Sequence, residues 1–193
     1  MEEKGTNEKK GSVGTIIGIV IVVIVLVVAL VMFGKKGAFE PILAGKVAPE
    51  FELPDLAGEM VPLSRYKGKV VFLNFWATWC EPCEEEMPSM QYLYQELKGE
   101  NFEMVAVSID SKKPAVIQEF VKKYSLTFPV LHDRKNKVKE KYKTTGVPET
   151  FIIDQNGVVA EKVWGPRDWS GPYATKVIRD LLASPPKPPA PST

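Results

Sequence analysis

Two cysteines separated by two residues, Cys80 and Cys83, stand where one residue pattern gives way to another. They are the only cysteines among 193 residues, so any thiol chemistry of this chain takes place there. The run before them, residues 69–75, is apolar and rich in residues that favour β-strands. The run after them, residues 84–98, is rich in helix formers. The pair therefore lies where a buried strand turns into a helix, and the fold must contain both.

This position favours a redox dithiol over a zinc site. A structural zinc site needs four ligands, and the chain offers a single histidine besides its two cysteines. Two cysteines are also too few for a framework of structural disulfides. A CxxC motif at a junction between a strand and a helix is typical of a catalytic cysteine pair.

A second feature is the uncharged run over residues 13–33, which consists almost entirely of Val, Ile and Leu. As a helix at about 1.5 Å per residue, this run reaches roughly 32 Å, which is close to the thickness of a hydrocarbon core. The run is longer than the apolar part of a secretory signal and lacks a small-residue cleavage site. We therefore expect a single transmembrane signal-anchor rather than a cleaved signal peptide or a buried helix.

The remaining segments follow from this division. We expect a polar cytoplasmic tail over residues 1–12, a linker over 34–46, a folded domain over 47–183 and a disordered proline-rich tail over 184–193. Lysines flank the anchor evenly on its two sides, so charge does not orient it. The net charge of +1 gives no sign of a nucleic-acid partner.

Strand and helix patterns alternate within residues 47–183. Two short strands around Gly58 are followed by the order β-α-β-α-β-α-β-β-α. The pair Asn156-Gly157 is typical of the tight turn of a hairpin between the last two strands. This order predicts an α/β fold, with a central mixed sheet covered by helices on both faces and an N-terminal β-hairpin extension.

The motifs of this domain resemble those of TlpA/ResA-like, membrane-anchored proteins of the thioredoxin family. The resemblance is carried by Lys46-Val-Ala-Pro-Glu-Phe51, by Trp76-Ala-Thr-Trp-Cys-Glu-Pro-Cys83 with Glu86 and Pro88 behind it, and by Gly146-Val-Pro148 before a strand. It implies a thioredoxin-like fold and a thiol-disulfide oxidoreductase in the bacterial cell membrane. It implies no cofactor other than the redox-active Cys80–Cys83 disulfide.

The same resemblance implies partners and an orientation. The client would be a disulfide-containing protein such as apocytochrome c during c-type cytochrome maturation. Electrons would come from a membrane thiol transporter of the CcdA or DsbD kind. A tethered dithiol is most useful where substrates become oxidised, so we expect the N-terminus in the cytoplasm and the domain outside it.

The chemistry of the motif assigns roles to its residues. Cys80, at the N-terminus of a helix, is expected to be the nucleophile, because unpaired backbone N–H groups there favour a thiolate. Cys83, one turn inside, is suited to attack the mixed disulfide. Pro82 stiffens the first turn. The expected substrate-binding residues are Trp79, Glu81, Pro82, Val147 and Pro148.

The resemblance further implies a cis peptide bond before Pro148, which leaves the backbone of Val147 free to pair with the client chain. Without that resemblance, an ordinary trans proline at the start of a strand is the alternative.

Glu86 is the remaining catalytic candidate. It follows Cys83 by three residues and therefore lies on the same helix face. Asn74 occupies the strand position where thioredoxins usually place a buried aspartate, so another group must move protons. A buried carboxylate near the sulfurs would raise the pKa of both thiols and its own pKa. We hypothesise that Glu86 donates and accepts the proton, and that Glu81 and Glu149 add to an acidic environment that favours a reductant.

Other functions fit parts of the sequence. A copper metallochaperone could use Cys80 and Cys83 with His132, which is expected to be a surface or turn residue. The motif also serves general thiol oxidants and isomerases. The entry segment alone suggests a peroxiredoxin. A docking module with a proline-rich tail would not need the CxxC motif.

Overall fold

The computed structural model describes residues 11–33 and 43–184. Residues 11–33 form one helix, α1, Gly11–Phe33, whose side chains are described at position 14 and at positions 16–28. Within the described residues, no helix is both long and apolar enough to cross a membrane. The transmembrane segment over 13–33 stays a prediction. Residues 1–10, 34–42 and 185–193 lie outside the described part, and with them most of the predicted tails and linker.

The rest of the described chain belongs to a separate unit, Pro41–Thr193. Its strands are β1, Glu52–Pro54; β2, Met60–Pro62; β3, Val70–Trp76; β4, Phe102–Ser108; β5, Val130–His132; β6, Glu149–Ile153; and β7, Val159–Trp164. Its helices are α2, Glu81–Glu96; α3, Pro114–Lys123; α4, Lys137–Lys141; and α5, Pro172–Ala183, with a short 3-10 helix at Leu63–Tyr66. The predicted order of elements is confirmed.

Five strands form one mixed sheet in the order β5-β4-β3-β6-β7. β3 is parallel to β4, and β4 is parallel to β5, whereas β6 is antiparallel to both β3 and β7. β1 and β2 pair as a separate antiparallel hairpin. The predicted central mixed sheet and N-terminal hairpin extension are therefore confirmed.

β3 lies at the centre of the sheet, and all seven of its residues are buried. Phe72 packs against Trp169 in the segment before α5, with ring centroids 4.7 Å apart. Phe75 points to the opposite face, because side chains alternate along a strand. Its ring centroid lies 5.3 Å from that of Tyr142, which follows α4. Both faces are thus covered, which explains why this strand is apolar at every position except Asn74.

Two helices are shorter than the sequence pattern predicts. The spacing of Val138 and Tyr142 predicts a helix over residues 135–143. It is reduced to α4, because Asn136 has a left-handed backbone and Asp133 caps the N–H groups of Val138 and Lys139. The sequence pattern predicts a last helix over about residues 169–183, whereas α5 begins at Pro172. The backbone N–H of Trp169 donates a hydrogen bond to Ser89 Oγ (3.1 Å), and this contact holds Trp169 outside the helix.

Candidate active site

The two cysteines form a disulfide at the start of α2, with an S–S distance of 2.16 Å and Cα atoms 5.2 Å apart. Cys80 is the N-cap of the helix, and its Sγ accepts a hydrogen bond from the backbone N–H of Cys83 (3.3 Å). A thiolate at this position would meet the unpaired N–H groups of the first helical turn. Cys83 is fully buried and Cys80 is 5% exposed, so Cys80 is the sulfur that a client reaches first.

The predicted cis peptide bond between Val147 and Pro148 is confirmed. The carbonyl oxygen of Val147 lies 3.5 Å from Cys80 Sγ, although 67 residues separate the two in the sequence. The carbonyl oxygen of Pro148 accepts a hydrogen bond from the N–H of Gly165, just after β7 (3.0 Å). The segment before β6 is therefore fixed against the disulfide on one side and against β7 on the other.

The loop between β3 and α2 is held by a carboxylate that the sequence analysis did not identify. Asp110 is fully buried and accepts hydrogen bonds from the N–H and the hydroxyl of Thr78, at 2.9 Å and 2.7 Å. The hydroxyl of Ser108, at the end of β4, donates to the same carboxylate (2.8 Å). Asp110 reaches this loop because β4 lies beside β3. The only sign of this contact in the sequence is that two polar residues, Ser108 and Asp110, stand at the end of the strand pattern that follows β3.

Glu86 is buried behind the dithiol, on α2. Its carboxylate accepts hydrogen bonds from Asn74 Nδ2 (2.9 Å), from Trp169 Nε1 (3.2 Å) and from the backbone N–H of Arg167 (3.3 Å). Desolvation raises the pKa of Glu86 from its ordinary value of 4.5 to about 7, although the hydrogen bonds from Trp169 and Asn74 act in the opposite direction. The carboxyl can therefore hold or release a proton near neutral pH.

Asn74 connects Glu86 to the strand that follows Pro148. Its amide also donates to Thr150 Oγ1 on β6 (3.0 Å), and Asn74 itself is fully buried. Asn74 on β3 and Glu86 on the dithiol helix are thus joined by a hydrogen bond, a contact that the sequence analysis did not predict. Trp169 is the third side chain in this group of buried hydrogen bonds around Glu86. The sequence analysis did not identify it as a site residue, because it lies 83 residues after Glu86 in the chain.

Glu86 also lines an open groove of about 520 Å³ between α2 and the loop before α5. Glu85, Tyr92 and Arg167 contribute to the same groove.

The other predicted substrate-binding residues lie around the disulfide. Trp79, directly before Cys80, is 64% exposed, and Glu81 and Pro82 are exposed in the first turn of α2. Val147 is partly buried. Trp79, Glu81 and Pro82 are therefore accessible beside the cysteines, whereas Pro148 is buried, and the substrate-binding role of this set stays a prediction.

Glu149 does not add negative charge to the site in the way we expected. Its carboxylate is buried in an ion pair with Lys162 on β7, and this lysine compensates its charge. Glu149 is paired in register with Phe75 and therefore faces away from Asn74 and Glu86. Of Glu81, Glu86 and Glu149, which were expected to form an acidic environment, only Glu86 is buried on the sheet face that α2 covers.

The residues weighed for a metal site are not gathered around the cysteines. Among the described residues, no group of three or more His, Cys, Asp and Glu side chains is placed to hold a metal ion. His132 is buried instead of lying at the surface, and its Nε2 is 2.7 Å from the backbone oxygen of Asp110. This geometry gives the copper alternative no support.

Comparison with known proteins places the site in context. A family model described as the AhpC/TSA family matches residues 44–162. Thiol-disulfide oxidoreductase ResA of Oceanobacillus iheyensis is 47% identical over 125 residues, which are 63% of this chain and 65% of the relative. ResA of Geobacillus kaustophilus is 44% identical over 124 residues, with 64% of this chain and 71% of the relative covered.

Solved structures agree with these relatives. A thiol:disulfide interchange protein from Chlorobium tepidum, DsbE, matches with a TM-score of 0.67 and 34% identity, over 72% of this chain and 98% of the other. StoA from Bacillus subtilis matches with a TM-score of 0.57 and 27% identity, over 69% of this chain and 96% of the other. Both structures therefore have the same overall fold as this chain over the covered residues.

Proposed function

The chain belongs to the AhpC/TSA family and, within it, to the ResA-like thiol-disulfide oxidoreductases, and from this premise we propose that it is a membrane-tethered, extracytoplasmic protein-disulfide reductase. The observation that carries the proposal is the arrangement of three groups. Cys80 caps α2 and lies 3.5 Å from the Val147 carbonyl oxygen, and Glu86 is buried on the same helix.

The reaction follows from the position of the two sulfurs. The thiolate of Cys80 attacks one sulfur of the client disulfide, which breaks that bond and forms a mixed disulfide. Cys83 then attacks the sulfur of Cys80, which closes the Cys80–Cys83 disulfide and releases the client. Two electrons pass to the client, and the two protons that the cysteines lose end on the client thiols.

Glu86 is proposed to carry protons during this exchange. Its pKa of about 7 lets the carboxyl accept a proton in one step and return it in another at neutral pH. When ionised, it disfavours nearby thiolates. Less stable thiolates make the dithiol a stronger reductant, which is the reason to propose the reducing direction over a general oxidant or isomerase.

The client, the electron donor and the location are proposed from the family resemblance and the N-terminal sequence. The client is a disulfide-bonded protein such as apocytochrome c, and the donor is a membrane thiol transporter of the CcdA or DsbD kind. Residues 13–33 are proposed to tether the domain outside the cytoplasm, and residues 16–28 of α1 are all Ile, Val or Leu except Gly18. Protease added to intact spheroplasts should cleave the domain, whereas full protection would contradict this orientation.

Trapping the mixed disulfide tests the proposed reaction. The reduced wild-type protein should reduce a disulfide-bonded peptide, and Cys83→Ser should accumulate a covalent adduct with the peptide through Cys80. Cys80→Ser, the matched control, should form little adduct because Cys83 is fully buried. A wild-type protein that leaves the peptide disulfide intact, or two variants that trap the peptide equally, would contradict the proposal.

A further inference from the structure

A buried ion pair lies directly behind the segment that faces the disulfide. Glu149 on β6 and Lys162 on β7 form it, and their side chains are 1% and 2% exposed. Removing two charges from water costs several kcal/mol for each ion, and apolar residues of similar size often stabilise a protein equally well. Stability alone therefore does not account for this pair.

The carboxylate of Glu149 has a second partner in the segment before Pro148. Its Oε2 accepts a hydrogen bond from the backbone N–H of Thr145 (3.0 Å), whereas the other oxygen faces Lys162. Between Thr145 and Pro148 lies Val147, the residue whose carbonyl oxygen contacts Cys80. Glu149 thus fixes this segment at both ends, through its side chain at Thr145 and through its own backbone after Pro148.

Lys162 is in turn fixed by aromatic rings. Its Nζ lies 4.8 Å from the ring centroid of Phe151 and 5.0 Å from that of Trp164. Three residues further along, the N–H of Gly165 donates to the carbonyl oxygen of Pro148. The edge strand β7 therefore supports the segment at two points, one through the ion pair and one through the main chain.

We propose that Glu149 and Lys162 are positioning residues that set the Val147 backbone for pairing with a client polypeptide. This inference rests on the proposed function, in which the client main chain lies against Val147 while Cys80 attacks its disulfide. Loss of the pair would let the segment between Thr145 and Pro148 shift relative to Cys80. The loss should affect clients that have a main chain to align, and it should affect a small disulfide less.

Paired substitutions separate this role from a general loss of structure. Glu149→Met with Lys162→Met removes both charges and the acceptor for the Thr145 N–H. Glu149→Gln with Lys162→Met removes the ion pair but keeps an oxygen for Thr145. Lys176→Met is the matched control, because Lys176 pairs with Asp180 in an exposed ion pair on α5. Each reduced protein is assayed with a disulfide-bonded peptide and with hydroxyethyl disulfide, which has no peptide backbone.

The expected result is a change in substrate preference. In the Met/Met variant, the ratio of kcat/KM for the peptide to kcat/KM for hydroxyethyl disulfide should fall about tenfold, mainly through KM for the peptide, as loss of one well-made hydrogen bond allows. The Gln/Met variant should show a smaller fall in the same direction, and Lys176→Met should show none. If the Met/Met variant does not fold, the ratio measured for the Gln/Met variant tests the positioning role.

An unchanged ratio in a folded variant would overturn the positioning role, whether both activities persist or both decline together. Failure of the proposed function would look different, because the wild-type protein would then leave the peptide disulfide unreduced.

Discussion

The side-chain amide of Asn74 donates a hydrogen bond of 2.9 Å to the carboxylate of Glu86, which joins the central strand to the helix that carries both cysteines. Both side chains are buried. Burial favours the neutral form of Glu86, and the donors from Trp169 and Asn74 favour the ionised form. The balance leaves the pKa of the carboxyl at about 7.

The stability of the protein should fall as pH rises through the titration of Glu86. Below pH 4.5, its ordinary pKa, the carboxyl is protonated in the folded and the unfolded chain alike. Between that value and about 7, the unfolded chain releases its proton while the folded chain retains it. The free energy of unfolding of the wild type should therefore decrease by up to about 3 kcal/mol relative to Glu86→Gln.

Chemical denaturation of the oxidised proteins at pH 4.5 and pH 8 measures this difference. Glu85→Gln is the matched control, because Glu85 is the exposed neighbour on the same helix, and it should show no such divergence from the wild type. Parallel stability curves for the wild type and Glu86→Gln across this range would contradict the prediction.

Trp169→Phe should raise the pKa of Glu86 above about 7. The substitution removes the Nε1 donor, which is the larger of the side-chain hydrogen bonds that lower this pKa, and it retains an aromatic ring against Phe72. The carboxyl carbon of Glu86, followed by NMR as a function of pH, reports the midpoint directly. Trp164→Phe, at an exposed tryptophan, serves as the control, and a lower midpoint in Trp169→Phe would show that the assigned balance is wrong.

Glu86→Gln should shift the alkylation of the reduced cysteines to lower pH. An ionised carboxylate near the sulfurs disfavours their thiolates, so removing its charge should lower the pKa of Cys80 and of Cys83. Rates of reaction with iodoacetamide between pH 5 and pH 10 give the midpoint of Cys80, and NMR of the Cβ carbon over the same range gives that of the buried Cys83. Titrations that coincide with those of the wild type would remove the proposed role of Glu86 in proton transfer.

Asp110→Asn should destabilise the loop that precedes Cys80. The substitution replaces one of the two carboxylate oxygens with an NH2 group, so that at least one of the hydrogen bonds donated by Thr78 and Ser108 loses its acceptor. A loss of about 2 to 3 kcal/mol in the free energy of unfolding is expected. Denaturant midpoints test it, with Thr78→Ser as a control that keeps the hydroxyl, and an unchanged midpoint for Asp110→Asn would sink the assignment.

Local patterns were sufficient to predict much of the domain. The apolar run of β3 and the periodicity of α2 are properties of consecutive residues, because side chains alternate along a strand and recur every three or four residues on a helix. The same proximity placed Cys80, Cys83 and Glu86 on one helix. The cis bond at Pro148 was expected only because its surroundings resemble a known family, since a single sequence carries no local signal for that isomer.

The sequence by itself determined the redox pair, its strand and helix, and the order of elements around them, since each depends on residues close together in the chain. Only the tertiary structure decided what surrounds the pair. Asp110 reaches Thr78 because β4 lies beside β3, and Glu149 meets Lys162 because β6 pairs with β7. The buried carboxylates of Glu86, Asp110 and Glu149 each have different partners. Pairing between strands that are distant in the sequence brings these partners together, and a pattern of neighbouring residues does not contain that information.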